Sequence, residues 1–217
     1  MYILLAGLSH KTAPVEIRER FSFSLSELEQ AYGRLRASET IEGAVILNTC
    51  NRTEVYATAR NIAAGQEVLR EVLGEHCGMP ADELQKYIYQ PNCYSAIEHI
   101  FRVASGLDSM ILGETQILGQ VKEAYAQAQA YKAADGVLNA LFQKALYVGK
   151  KVRNDTAIDQ HPVSISYAAV ELARQVLGDL QEKTVMVVGA GEIGELSTRY
   201  LMQNGVKSVI VSNRSYD

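Results

Sequence analysis

Cys50 lies among hydrogen-bonding residues in the stretch ILNTCNRTEVYA, which covers residues 46–57. A thiolate is a strong nucleophile at neutral pH once a nearby cation lowers its pKa, and Arg52 is close enough in sequence to contribute. A single cysteine is more often structural, but a buried core position would not have polar neighbours such as Thr49 and Asn51. The stretch therefore predicts that Cys50 is a nucleophile in a turn between two strands.

Two further side chains, Arg52 and His99, are candidates for contact with a substrate. Arg52 is either a bidentate clamp for a carboxylate, which lysine would not reproduce, or a surface charge on the turn. His99 lies beside, rather than on, the apolar stripe of a predicted helix. A histidine there can orient a reacting carbonyl, although a hydrogen-bonded, non-catalytic histidine is an equal alternative.

A glycine-rich and polar stretch covers residues 106–120. Ser109, Glu114 and Gln116 cluster around a predicted break between helices, and Gln120 lies one helical turn beyond Gln116. The pattern suggests a ligand pocket. The alternative is a capped helix start, because Glu114 is a favourable residue for a first helical turn.

A glycine turn follows a β-branched apolar strand and opens a helix, which is the context that a nucleotide-binding G-x-G-x-x-G motif requires. Its residues are Gly189, Ala190, Gly191, Glu192, Ile193 and Gly194. Such glycines let a pyrophosphate approach the helix amino terminus. The end of the next strand carries Ser212, Asn213 and Arg214, which suit a 2′-phosphate, so the motif favours NADP over NAD. The alternative is a solvated Arg214.

The order of predicted elements indicates an α+β fold. Residues 2–8, 24–36, 43–48, 54–59, 66–77 and 84–89 read as β-α-β-β-α-β, the split βαβ pattern of a ferredoxin-like sheet. A helical region follows from residue 93. Residues 184–211 then form one βαβ unit, an incomplete Rossmann-type domain, because the 23 residues after Gly194 are too few for its remaining strands.

The linker 154–162, which contains Pro162, separates two expected domains, 1–156 and 157–217. We expect the chain to be a fragment that stops inside its second domain. The missing strands are expected to leave apolar side chains uncovered at Val185, Val187, Val209 and Val211.

Composition excludes several classes. The net charge of −4 provides no global surplus for nucleic acid, and only Lys150, Lys151 and Arg153 form a basic run that could touch phosphates. A solvated helix end explains that run equally well. The apolar run at the amino terminus is too short to span a bilayer. We therefore expect a cytoplasmic protein that does not associate with a membrane. Three cysteines without a CxxC pair predict free thiols, and Cys77 and Cys93 are expected to be structural.

Five stretches together resemble the glutamyl-tRNA reductase family: LNTCNRTEVYA, ASGLDSMILGETQILGQVKEAY, KKVRNDTAI, HPVSISYAAVELA and VVGAGEIGELS. The resemblance covers essentially the whole chain. It implies an NADPH-dependent oxidoreductase that converts glutamyl-tRNA(Glu) to glutamate 1-semialdehyde through a cysteine thioester, the first step of the C5 route to 5-aminolevulinate and tetrapyrroles. It also implies that residues 1–156 are the catalytic domain and that residues 157–217 begin the NADPH-binding domain.

The same resemblance implies residue roles and partners. Cys50 would form the thioester, Arg52 would clamp the substrate carboxylate, and His99 would assist near the ester. The glutamate pocket would be lined by Thr49, Asn51, Ser109, Glu114, Gln116 and Gln120. NADPH would contact residues 189–194 and 212–214. Full-length relatives are expected to be homodimers that work with glutamate 1-semialdehyde aminomutase, and we expect this shorter chain to lack full reductase activity.

Two rival functions remain from the residues alone. An aldehyde dehydrogenase-like enzyme would also combine a cysteine with NADP, but would act on a free acyl substrate. A non-enzymatic module would hold a carboxylate ligand without turnover. Trapping an acyl adduct on Cys50 would rule out the non-enzymatic module. The identity of the consumed substrate, aminoacylated tRNA or a small thioester, would distinguish the aldehyde dehydrogenase-like enzyme from the reductase.

Overall fold

A computed structural model of the chain describes residues 1–158 and 165–213. Two compact units form it, Met1–Ile158 and Asp159–Asp217, and the expected domain boundary after residue 156 lies two residues before this division. Both units combine helices with a small sheet, so the fold is mixed α and β. Pro162 and the rest of residues 159–164 lie outside the described residues.

The strands are β1 Tyr2–Ser9, β2 Ile41–Asn48, β3 Arg52–Ala59, β4 Thr184–Val188 and β5 Ser208–Ser212. The helices are α1 Val15–Arg20, α2 Leu25–Ala37, α3 Ile62–Cys77, α4 Ala81–Leu84, α5 Cys93–Ala104, α6 Gln116–Ala130, α7 Gly136–Asp155, α8 Ile165–Leu177 and α9 Glu192–Gln203. None of the helices within the described ranges is long and apolar enough to cross a membrane.

The first unit is built on a three-stranded antiparallel sheet in the order β1-β3-β2. Two isolated bridges, Leu4 with Asn92 and Gly7 with Tyr89, place a further extended segment beside β1. Two helical groups, α2–α3 and α5–α7, pack against the strands. All eight residues of the central strand β3 are buried, so both faces of the sheet are covered.

The local signals for the first helices are confirmed, whereas the prediction of a strand at residues 84–89 is wrong. Ser24 caps α2 in a reciprocal capping box with Glu27. Residues 81–84 instead form the short helix α4, and the amides of Tyr87 and Ile88 donate to the carbonyl of Leu84 at 3.0 and 3.2 Å. Local turn bonds thus replace a strand ladder until Tyr89.

The second unit contains one βαβ element, in which β4 and β5 pair in parallel and α9 connects them. Helix α8 packs against α9. The small core of this unit consists of Val170, Leu180, Leu201 and Val206. The Gly189 amide donates to the carbonyl of Ser212 at 2.7 Å, which joins the glycine turn to the end of β5.

Candidate active site

The turn between β2 and β3 presents Cys50 to solvent. Thr49 Oγ1 accepts from the amides of Asn51 and Arg52 at 3.2 and 3.1 Å, and the Thr49 amide donates to the carbonyl of Arg52 at 2.8 Å. The His10 amide also donates to the carbonyl of Asn51 at 2.9 Å. Cys50 is exposed at the tip of this closely bonded loop, as a reactive thiol requires.

Arg52 is 2% exposed, so the interpretation as a surface charge is wrong. Its Nη1 donates to Glu54 Oε1 at 2.7 Å, and its Nη2 donates to the carbonyl and to Oδ2 of Asp108 at 2.5 and 3.1 Å. A buried guanidinium requires such partners, because an unpaired buried charge is strongly unfavourable. Arg52 thus already binds two carboxylates beneath the Cys50 turn.

Glu54 lies at the centre of this cluster with none of its side chain exposed. It accepts from Arg52, from Tyr56 Oη at 2.6 Å, from Tyr89 Oη and from His99 Nε2 at 2.8 Å. Burial alone would raise the pKa of Glu54, but the charge of Arg52 and the hydrogen bond with His99 hold this pKa well below its usual range. Glu54 is therefore an ionised carboxylate inside the protein.

His99 is joined to the Cys50 turn through Glu54. Its ring is partly exposed, with Nε2 2.8 Å from Glu54 Oε1, and its centroid is 5.3 Å from that of Tyr89. The alternative of a hydrogen-bonded histidine therefore describes the observed contact. A role in chemistry is compatible with that contact, because only one ring nitrogen is used by Glu54.

Asp108 connects the turn to the segment that carries Ser109. Its carboxylate binds Arg52 and, on its other oxygen, Lys11, whose side chain is about half exposed. Burial raises the pKa of Asp108, but the hydrogen bonds from Lys11 and Arg52 lower it below its usual range. Ser109 follows directly in sequence, and its Oγ is buried without a hydrogen-bond partner among the described residues.

Two glycines shape the loop around Ser109 and Glu114. Gly106 and Gly113 have φ of +76° and +81°, and the Gly113 amide donates to the carbonyl of Gly106 at 2.9 Å. A Cβ on Gly113 would lie 2.2 Å from the carbonyl of Ile158, so only glycine fits there. The loop is thus tightly closed rather than an open connection.

The remaining predicted pocket residues lie at the start of α6. Glu114 is half-buried, Gln116 is exposed and Gln120 is half-buried. Arg153 donates to the carbonyls of Glu114 and Thr115 at 2.7 and 3.2 Å, so it anchors this loop. Thr115 makes no side-chain cap bond to α6, which weakens the alternative of a capped helix start.

His10 is a half-buried residue near the turn. Its Nδ1 is buried without a partner in the described part of the chain. Burial lowers the pKa of His10, and the positive charges of Arg52 and Lys11 lower it further. Burial and both neighbouring cations therefore favour the neutral form of the His10 ring.

The glycine turn of the second unit has the geometry of a phosphate cradle. Gly189 has φ of +102°, which favours glycine, and Gly191 caps α9. A Cβ on Gly194 would lie only 2.3 Å from the carbonyl of Gly189, so this glycine permits close approach of helix and strand. These residues fit a nucleotide pyrophosphate.

The structure shows the positions of most, but not all, of the other residues predicted to bind the cofactor. Ala190 is exposed, Ile193 accepts from Ser166 Oγ at 3.1 Å through its carbonyl, and Ser212 is exposed at the end of β5. Asn213 follows Ser212, and Glu192 begins α9. Arg214 lies outside the described residues, so the preference for a 2′-phosphate stays a prediction.

The other cysteines differ from Cys50. Cys77 is buried, and burial raises the pKa of its thiol. Cys93 is half-buried at the start of α5 with φ of +50°. Within the described ranges, no group of three or more histidine, cysteine, aspartate or glutamate side chains could hold a metal ion.

Glu54, Asp108 and Tyr89 are the site residues that sequence reasoning missed. One signal was present: Arg52, Glu54 and Tyr56 alternate on β3, and alternate residues of a strand share a face. Asp108 comes from a distant loop and no local pattern singles it out.

Comparison with known proteins places this chain in a family of reductases. Residues 6–156 match the family described as glutamyl-tRNA(Glu) reductase, N-terminal domain, and residues 171–217 match the family described as shikimate/quinate 5-dehydrogenase. The chain belongs to the glutamyl-tRNA reductase family.

Individual relatives agree with this assignment. The chain is 54% identical over its full length to glutamyl-tRNA reductase of Pelotomaculum thermopropionicum and 49% identical to that of Carboxydothermus hydrogenoformans, and covers 49% and 48% of them. The solved structure of glutamyl-tRNA reductase from Methanopyrus kandleri is 37% identical and matches 99% of this chain and 50% of its own, with a TM-score of 0.62. The chain spans about half the length of these relatives.

Proposed function

We propose that this chain is the acyl-transfer half of an NADPH-dependent glutamyl-tRNA reductase. Cys50 takes the glutamyl group from glutamyl-tRNA(Glu), and the resulting thioester is the species reduced to glutamate 1-semialdehyde on the route to tetrapyrroles. The observation that carries this proposal is the exposed Cys50 thiol on a rigid turn above the buried charges of Arg52 and Glu54. Membership of the family supports it.

The acyl transfer forms one carbon–sulfur bond and breaks one carbon–oxygen bond. The Cys50 sulfur attacks the ester carbonyl, the bond from that carbon to the tRNA 3′ oxygen breaks, and the oxygen leaves with a proton. The thiol loses one proton, so no net proton is consumed. Splitting ester reduction in this way replaces one difficult step by two easier ones.

The substrate carboxylate is proposed to meet Arg52 by an exchange of partners. Both terminal nitrogens of Arg52 are already used by Glu54 and Asp108. Asp108 also binds the partly exposed Lys11. Asp108 can therefore remain paired with Lys11 while Arg52 turns one N–H edge to the ligand. Thr49, Asn51, Ser109, Glu114, Gln116 and Gln120 line the glutamate pocket in this proposal.

The glycine turn is proposed to hold NADPH. Gly189, Gly191 and Gly194 let the pyrophosphate approach the amino terminus of α9, where free amides favour anions. Residues 212–214 would contact the 2′-phosphate. A bound nicotinamide supplies the hydride that converts a thioester to an aldehyde.

We also propose the fold type of each unit and the location, oligomeric state and partner of the full-length enzyme, on the basis of family membership. The first unit is ferredoxin-like and the second is the start of a Rossmann-type domain. The full-length enzyme is a cytoplasmic homodimer that passes its product to glutamate 1-semialdehyde aminomutase. The 217-residue chain by itself is proposed to carry out acyl transfer without full reduction, since it spans about half the length of its relatives.

Mass spectrometry of the intact chain after incubation with glutamyl-tRNA(Glu) tests the acyl transfer. We expect a glutamyl adduct on the wild type and on the Cys93→Ser control, and none on Cys50→Ser. We further expect slow release of free glutamate with little effect of NADPH, because a thioester without hydride is open to water. An adduct that persists in Cys50→Ser overturns the proposal, and consumption of small free thioesters alone favours the aldehyde dehydrogenase-like rival.

A further inference from the structure

Glu54 is a fully enclosed ionisable group of the site, and the proposed acyl transfer does not use it. Its carboxylate has no exposed surface, yet it receives hydrogen bonds from four side chains. Burying a carboxylate costs several kcal/mol unless charge and hydrogen bonds compensate. The hydrogen bonds that compensate this cost also fix the orientation of Arg52 and His99, so Glu54 positions its neighbours.

The hydrogen-bond roles around Glu54 define the state of His99. An ionised carboxylate only accepts hydrogen bonds, and arginine and the two phenols can all donate. His99 Nε2 lies 2.8 Å from Glu54 Oε1, so it must carry a proton to make this contact. In the neutral ring, Nδ1 then holds the free lone pair.

Gly7 on the neighbouring strand β1 leaves room for the Glu54 side chain. A Cβ on Gly7 would lie 2.8 Å from Glu54 Cγ and 2.6 Å from the carbonyl of Thr53, so glycine is needed at this position. Gly7 also exchanges two backbone hydrogen bonds with Tyr89, at 2.8 and 3.1 Å. These bonds place the Tyr89 hydroxyl on Glu54.

We propose that Glu54 is a positioning residue that holds His99 in the Nε2–H form and leaves Nδ1 as the nitrogen that exchanges protons during acyl transfer. The proposal rests on the proposed function for its kinetic part and on geometry alone for its tautomer. In the reaction, the Nδ1 lone pair would take up the proton that acyl transfer releases and return one proton to the departing tRNA 3′ oxygen. The ring therefore ends in the form in which it began.

Nitrogen-15 NMR of the histidine-labelled full chain at pH 8 tests the tautomer, with the signals assigned by comparison with His99→Asn. An ordinary imidazole is neutral at this pH. We expect His99 to be protonated on Nε2 in the wild type. In Glu54→Gln the amide can donate to Nε2, so we expect a shift toward the Nδ1–H form. A wild-type His99 protonated on Nδ1 overturns the proposal without any variant.

Kinetics of adduct formation supply the second readout. We expect kcat for acyl transfer to fall about 100-fold in Glu54→Gln with a smaller change in KM, because proton transfer contributes about this much. Tyr89→Phe, which keeps the carboxylate, should retain the Nε2–H form. Glu75→Gln, on an exposed ion pair with Arg34, is the matched control and should match the wild type.

The outcomes distinguish the two proposals. A wild type that forms no Cys50 adduct overturns the proposed function, while its histidine spectrum still decides the role of Glu54. Unchanged kcat in a folded Glu54→Gln, or an unchanged tautomer in that variant, overturns the positioning role even when the adduct forms normally.

Discussion

The central strand of the first sheet and β4 of the second differ in composition and in surroundings. β3 includes arginine, threonine and glutamate, whereas β4 is apolar after Thr184. Every residue of β3 is buried, since β1 and β2 pair with its two edges and helices cover both faces. Among the described residues of the second unit, β4 and β5 pair only with each other, and Met186 and Val188 are 61% and 81% exposed. Burial thus follows from the number of neighbouring elements rather than from the residue types of a strand.

Three valine side chains of the second sheet are less exposed than expected. Val185, Val187 and Val209 are half-buried and pack against the small core, so the expectation of their exposure is wrong. Val211 is exposed as expected, together with Met186, Val188 and Ile210. The face with Val185, Val187 and Val209 rests on the core of its own unit. Val211 lies at the uncovered end of that same face, since it pairs with Val187.

One ion pair of each unit gives a second comparison, because the two pairs differ in burial. Arg52 and Glu54 form an ion pair that is almost completely buried. In the second unit the pair of Arg199 and Glu195 is well exposed on α9. Water screens the second pair, whereas the first depends on every partner being present.

Arg52→Met is the largest test of this contrast. It leaves Glu54 buried without its cation, so we expect the first unit to lose about 3–5 kcal/mol of unfolding free energy. Arg199→Met, the matched control, should change the second unit by less than about 0.5 kcal/mol. Hydrogen exchange measured on peptides from each unit reports the two effects separately. Equal effects would contradict the distinction between buried and screened charges.

Paired valine truncations test the apolar contrast. Val55→Ala removes two methyl groups from a fully buried position of β3, and we expect a loss of about 2–3 kcal/mol. Val188→Ala makes the same change on an exposed position of β4 and should cost less than about 0.5 kcal/mol. Urea unfolding followed by peptide hydrogen exchange measures both. A large loss in Val188→Ala would show that this strand face is covered in solution.

Gly194→Ala tests whether the less buried unit also contains a close contact. The added Cβ would meet the carbonyl of Gly189 at 2.3 Å, so we expect the second unit to lose about 1–3 kcal/mol. Gly191→Ala is the control, because no atom lies within 4 Å of its added Cβ and its φ is −73°. Thermal unfolding of the two variants should differ. Equal midpoints would mean that α9 moves away without cost.

Alkaline pH should weaken the first unit through its buried phenols. Burial and then Glu54 raise the pKa of Tyr56 and of Tyr89. Their contribution to stability is complete below the ordinary tyrosine pKa of about 10 and is lost as pH rises through the folded value. Above about pH 10 the loss should be about 1.4 kcal/mol per pH unit for each such tyrosine.

The urea midpoint between pH 8 and pH 11 measures this loss. Tyr56→Phe should reduce the slope with pH, whereas Tyr94→Phe, at a side chain that is 88% exposed, should leave it unchanged. An identical slope in Tyr56→Phe would place the alkaline sensitivity elsewhere.

Local signals in the sequence predicted much of the fold. The Ser24 capping box, the long helices and the strands on either side of Cys50 depend on contacts within a few residues, and the structure confirms them. The strand predicted at residues 84–89 was wrong for the same reason, since its apolar pattern also suits a short helix and turn. Periodicity alone does not separate these two for a short apolar run.

The sequence by itself determined the positions of Cys50 and of the glycine turn, because a turn and a phosphate cradle are formed by adjacent residues. Only the tertiary structure decided what surrounds them. Arg52 meets Asp108 across 56 positions, and His99 meets Glu54 across 45. The alternation on β3 puts Arg52 and Glu54 on one face, but the stability of such a buried charge cluster depends on partners from separate elements, so the local pattern does not reveal that both side chains are enclosed.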